Sequence, residues 1–507
     1  MRMVVSPPGR LGERSQFGLH GQALFQWNLP RIEQRGDRVG FRGTGAGCQH
    51  ERGHITDSRF YGHGYATMAS RRIFCDVCRY QRWLDVEAAL ALSQADVGML
   101  PTAVAQDIAD AARLELLDLD EVQKNIRSSG HSLVGLLGAF QAACRGDSGQ
   151  YVHYGATTQD IQDTAQSLEL REVLDEVHRL LRLVVKPLVR LAERHGSAPA
   201  LGRTHAQPAL PLGFGVKIAS WIDEILRHTE RIEAMRPRLL AVQMFGAVGT
   251  MAAMGDQGPA VLDRCAQRLG LTVPAIGWHV SRDRVAEFVA TLAMVTATMG
   301  RVTDEIRLLS RPEFGEVEEG RQHGAIGSST MPHKRNPEAC EQVVALARLA
   351  TGMVGPALMA MTADGERDAR ALRIEWACVP DISHYCLAAC EITSGVVDRL
   401  HVNDYRLLGN VAAVRDEVAS ETLMLTLAKY LGKQNAFTQV YELIARARTH
   451  GHLVQEELAM DAELSDVLSK EDIDQVFDPA HHLGASDLLT ARVVNAAKTW
   501  LTGDGTP

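Results

Sequence analysis

IQDTAQSLELREVLDEVHRLLRLVVKPLVRLA, residues 161 to 192, decides the architecture. Its apolar residues recur at Ile161, Thr164/Ala165, Leu168, Val173, Val177, Leu180/Leu181, Val184, Leu188 and Leu191, the spacing of one helix face. Only Pro187 interrupts, and it is expected to kink the helix because it cannot donate a backbone hydrogen bond. A second segment repeats the message. Val285, Phe288, Leu292, Val295, Met299, Val302, Ile306 and Leu309 keep a period near 3.5, the seam of a bundle or coiled coil. Helices of this length pack on one another and leave apolar stripes for other copies to cover. The expectation is an all-α protein built on a long central bundle.

Outward from these segments, the texture is helical from about residue 66. Residues 1–57 carry Arg but no Lys and show no apolar period, so they are expected to form a poorly ordered tail. A helical domain at 58–155, the bundle at 156–400 and a small helical domain at 401–507 follow, the last set off by turn signals at Gly432, Pro479 and Gly484. GTGAGC, residues 43–48, has no strand before it and no helix after it, so it is not read as a dinucleotide loop.

The 507 residues are 46% hydrophobic with a net charge of -9, which gives nucleic acid and acidic membranes no basic surface to hold. No apolar run of membrane-spanning length is read. The nine scattered cysteines, odd in number, suit reduced thiols in a cytoplasm. Cys75 and Cys78 with Cys48, His50 or His54 offer a zinc set, but the pair is read as buried thiols on an amphipathic helix, and no metal or cofactor is expected.

Four polar stretches break the helical text: SSGHS (128–132), GATTQDIQDTA (155–165), GRTHAQPALP (202–211) and GSSTMPHKRNP (327–337). GATTQD suits a helix start, where free N–H groups and the dipole receive a carboxylate; alone, it is also a plain cap. GSSTMPHKRNP supplies a lysine charge, an amide and a row of backbone N–H groups, which suits gripping an anion and the charge that develops on it.

GSSTMPHKRNP resembles the signature of the fumarase/aspartase superfamily. The spacing of GATTQDIQDT, GRTHAQPALPLGFG and GAVGT (246–250) is similar to its adenylosuccinate lyase and carboxymuconate cycloisomerase branch, over residues 66 to 500. The resemblance implies a homotetramer with a 20-helix core, active sites shared between three chains, and elimination of HX from a small dicarboxylate to release fumarate. It makes Ser328 the base that takes the β-proton, His205 the acid, and His131 a second active-site imidazole. Lys334 and Asn336 hold the carboxylate that becomes an aci-carboxylate, with Thr157, Thr158 and Gln159 on the carboxylate side and Gln243 nearby. Leu372 and Trp376, in GERDARALRIEWACVPD (365–381), stand where adenylosuccinate lyases grip a phosphate, and YATMASRRIF (65–74) lacks their other phosphate motif. Arg367 and Arg370 are candidates for a second substrate anion. The substrate expected is therefore a small substituted succinate, of N-substituted aspartate or nitrosuccinate type. The alternatives are a cycloisomerase, adenylosuccinate lyase proper, and a crystallin-like structural protein.

Overall fold

The computed structural model describes residues 53–320 and 330–503. Ser328, Cys48, His50 and GTGAGC lie outside the described residues.

The seam read from the sequence is one helix, Thr158–His195, of 38 residues, about 57 Å long at the usual rise. It runs through Pro187, which is buried inside it, so the lost hydrogen bond does not end the helix. Every residue of the stripe from Ile161 to Leu188 named above is buried, and Leu191 at its end is half-buried. Phe214–Leu239, Asp283–Leu309 and Ala369–Asp398 are the other long members. Asp283–Leu309 packs against Phe214–Leu239, Glu338–Gly352 and Ala369–Asp398, and Thr158–His195 packs against the first and last of these. All eight seam residues from Val285 to Leu309 are at most 2% exposed, each contributing about 1.5–3 kcal/mol for a large side chain. A Cβ at Gly300 would stand 2.6 Å from that of Ala347, so glycine there permits the close approach of Asp283–Leu309 and Glu338–Gly352.

Three expectations are corrected. Asp283–Leu309 and Glu338–Met359 are long and apolar enough to qualify as spans, each with mean hydropathy 1.3; the first is 72% buried inside the bundle and the second only 28%. Cys75 does not ride a helix face. It caps the helix Asp76–Asp96, its Sγ accepting from the Cys78 N–H, and both thiols are half-buried. Within the segment assigned to the tail, Ile55–Asp57 forms a 3₁₀ turn, and His54 approaches Asp381 at 3.4 Å.

The N-terminal helices share one apolar core with the bundle. Residues between Ala419 and Phe477 have a core of their own, while Ser486–Thr502 packs back on Phe214–Leu239 and Thr158–His195. Two short antiparallel sheets punctuate the helices: the hairpin Pro199–Thr204 with Gln207–Gly213, and Val317–Glu318 with His401–Val402. The hairpin carries the GRTHAQPALP stretch, which the helical reading left without a conformation.

Candidate active site

Thr157 precedes the long helix in extended conformation and Thr158 begins it. Asp160 fixes that start. Its carboxylate accepts from the N–H groups of Thr157 (3.0 Å), Phe245 (3.0 Å) and Gly246 (2.9 Å) and pairs with His279 at 2.9 Å, all with Asp160 fully buried. The helix entrance is thereby bound to the GAVGT turn, where Gly246 takes a φ of 74° that a side chain would strain.

A cavity of about 530 Å³ opens at this helix start, lined by His131, Thr158, Gln159, Gln162, Arg367 and Trp376 among others. His131 caps the helix Ser132–Ala143, its Nδ1 accepting from Val134 N–H at 3.3 Å; in the neutral ring the proton then sits on Nε2. Gln159 donates to Asp163 Oδ2 (3.1 Å) and to the His279 carbonyl (2.8 Å), and Gln162 donates to Ser132 Oγ (2.9 Å). Arg367 reaches Thr157 Oγ1 at 2.5 Å. Arg370, by contrast, is spent on Asp368 and Asp364. The two arginines that the sequence left equivalent are thus sorted.

Beneath the cavity lies a fully buried ion cluster. Arg282 donates to both oxygens of Asp163 (2.9 and 3.0 Å) and, through Nε, to Glu375 at 2.7 Å, with Gln166 also on Glu375. Burial disfavours the Arg282 charge, but Asp163 and Glu375 outweigh it and hold its pKa above the ordinary value. Because Gln159 leans on Asp163, this cluster fixes the amide at the cavity wall. Gln243 belongs here rather than to the wall: it is fully buried, accepts from Trp278 N–H (3.0 Å) and donates weakly to Asp163 (3.5 Å).

Lys334 and Asn336 line a different cavity, of about 520 Å³, with His333, Glu318, Glu319 and His401. Arg335 pairs with Glu318, and Glu319 accepts from the N–H groups of Ala339 (3.3 Å) and Cys340 (3.1 Å), holding the loop to the next helix. His205 lines neither cavity. It stands exposed at the hairpin tip, where His205 and Ala206 take φ of 51° and 63°, both in the region that two-residue hairpins normally fill with Gly or Asn. Arg203 anchors the strand below on Glu316 (2.5 and 3.1 Å).

One chain therefore gathers His131, Thr158, Gln159 and Arg367, with Thr157 behind Arg367, and keeps Lys334 and Asn336 apart from them. Gln162, Arg373 and the ion cluster were not picked out from the sequence. Gln162 stands four residues after Thr158 and so shares its face, which was a usable signal; the cluster joins residues 119 apart in the case of Arg282 and Asp163, and no periodicity announces it.

The profile of a family described as Lyase matches residues 64–352, and that of the adenylosuccinate lyase C-terminus matches 417–493. N-acetyl-S-(2-succino)cysteine lyase of Dickeya dadantii is 36% identical over 444 residues, covering 88% of this chain and 98% of the relative. 3-carboxy-cis,cis-muconate cycloisomerase of Pseudomonas aeruginosa is 36% identical over 427 residues, covering 84% and 93%. The crystal structure of fumarate lyase from Mesorhizobium sp. BNC1 superposes with a TM-score of 0.80 at 33% identity, covering 86% of this chain and 99% of that one.

Proposed function

Since the chain belongs to the lyase family, within the fumarate lyase superfamily, we propose that it eliminates HX from a substituted succinate and releases fumarate. The observation that carries this is the helix-start cavity, where Thr158, Gln159, Arg367 and His131 converge and no Asp or Glu lies among the lining residues. In a chain of net charge -9, such a wall suits a dicarboxylate. The relative's name adds a sulfur-linked succinate to the nitrogen-linked and nitro-substituted ones, so HX is a thiol, an amine or nitrous acid.

In this reading Ser328 takes the proton beside one carboxylate, whose electrons pass into an aci-carboxylate held by Lys334 and Asn336. The electrons then return to form the double bond while the C–X bond breaks, and His205 or His131 gives X its proton. Thr157, Thr158, Gln159 and Arg367 hold the other carboxylate, and Gln243 supports them from within. Lys334 and Asn336 are supplied by another chain of a homotetramer, which accounts for their place in a separate cavity. The small domain 401–507 and the cytoplasmic setting belong to the same proposal.

The test is to incubate the purified protein with N-acetyl-S-(2-succino)cysteine, N-substituted aspartates and nitrosuccinate and follow fumarate by its ultraviolet absorbance. Fumarate and HX in equal amounts are expected, falling about 10²- to 10⁴-fold in Ser328→Ala, the usual range for a lost base. The 36% identity to a cycloisomerase favours a second reading: muconate turnover without fumarate would replace the first.

A further inference from the structure

The small unit with its own apolar core carries a side-chain cluster that neither cavity uses. The helix Lys433–His450 ends at His450, and Gly451 follows with a φ of 73°, a left-handed turn that favours glycine. The turn folds the chain back, so that the His452 N–H reaches the Ala447 carbonyl at 3.0 Å. The next helix, Val454–Met460, then brings Glu457 against both imidazoles. His450 Nδ1 lies 3.2 Å from each Glu457 oxygen, and His452 Nδ1 lies 3.0 Å from Oε2. One ligand-capable atom from each of the three stands within 4.8 Å of the others. The carboxylate is buried and both rings reach solvent.

Hydrogen bonding alone accounts poorly for this convergence, because Arg446 already stands 3.5 Å from Glu457 Oε1 and supplies a counter-charge. Arg446 also donates to Asp461 at 2.5 Å. Two carboxylates therefore face one guanidinium, and with neutral rings the cluster keeps a net negative charge that draws a cation. Two imidazole nitrogens and one carboxylate oxygen suit zinc and its neighbours, whereas calcium and magnesium take oxygen ligands. Bonds of about 2.0–2.1 Å at tetrahedral angles set neighbouring ligand atoms roughly 3.3 Å apart. The separations of 3.0 and 3.2 Å between the ring nitrogens and Glu457 are close to that edge.

We propose that His450, His452 and Glu457 form a zinc site, with three protein ligands and the fourth position left to water. The sequence reading expected no metal. Ala447 and Leu458, one on each helix, belong to the core of the small unit, so the ion ties together two walls of that core. Its ligands lie on neither cavity of the candidate active site, and the role is structural.

The test uses the full chain, free of any polyhistidine tag and with its thiols kept reduced. Equilibrium dialysis against zinc chloride, with bound metal counted by mass spectrometry, should give about one equivalent per chain more in the wild type than in His450→Gln or His452→Gln. Both positions are exposed, and circular dichroism should show an unchanged fold. The affinity for that equivalent should fall by more than about 100-fold in each variant, beyond the loss typical of an outer-shell change. His481→Gln, at an exposed histidine outside the cluster, should leave the count unchanged. A wild type that binds no zinc, a count that stays at the wild-type value in either cluster variant, or an equal loss in His481→Gln overturns the site.

Discussion

The two cavities are held in different ways. At the helix start, the wall residue Gln159 is tied to Asp163, Asp163 to Arg282 and Arg282 to Glu375, all essentially without exposure. Around Lys334, the loop stands at the surface with Lys334 exposed and Asn336 half-buried. In the first arrangement Gln159 is preorganised by the chain's own core, while His131 and Arg367 beside it are exposed. The second displays its groups outward. The proposed shared site would join the anchored amide of one chain to the lysine of another.

Arg282→Met strikes the foundation of the rigid half and leaves two buried carboxylates without a counter-charge, held only by the amides of Gln159, Gln243 and Gln166. It should cost about 3–5 kcal/mol, seen as a lowered denaturation midpoint; a midpoint unchanged from wild type would show that the cluster does not hold the wall. Lys334→Ala strikes the displayed half. It should lower turnover by about 10²- to 10³-fold, the cost of one lost oxyanion donor, with little change in the denaturation midpoint. Loss of stability matching that of Arg282→Met would erase the distinction.

The same contrast is written in pH. Burial first, and then Arg231, pushes His228 down to about 4, and burial with Arg71 does the same to His384; both rings stay neutral within the packed helices. The unfolded chain takes up these protons near the ordinary histidine value of about 6.5. Stability is therefore complete above that pH and is lost as pH falls toward 4. His228→Asn should flatten this decline, and an identical acid profile would contradict the assignment. At the hairpin, Ala206→Gly relieves a left-handed alanine and should raise stability by a few tenths of a kcal/mol, about 1–2 kcal/mol of backbone strain less the entropy of glycine. A marked loss would mean that the Ala206 methyl is itself a contact.

The bundle was legible because its seams are local: a period near 3.5 from Val285 to Leu309 survives any detail of the partners. Pro187 was read as a point where the helix should kink, and the helix runs on through it. The hairpin at 199–213 escaped because His205 and Ala206 are not residues that announce a two-residue turn. Among the candidate site residues, the polar stretches themselves brought out Thr157, Thr158 and Lys334, and the family resemblance added Gln159. Arg282 and Glu375 stayed hidden, since a buried charge is satisfied by partners far along the chain. Arg367 and Arg370 differ only in which neighbours they meet, and that is a fact of the fold.

The shared site is tested most directly by complementation. His131→Ala removes a group from the helix-start cavity and Lys334→Ala one from the loop, and each variant alone should be nearly inactive. Unfolded together and refolded, with mixed assemblies verified by native mass spectrometry, they should regain activity at sites that join an intact His131 from one chain to an intact Lys334 from another. Mixed tetramers that remain as inactive as the separate variants, or a protein that stays a monomer while active, would contradict the account.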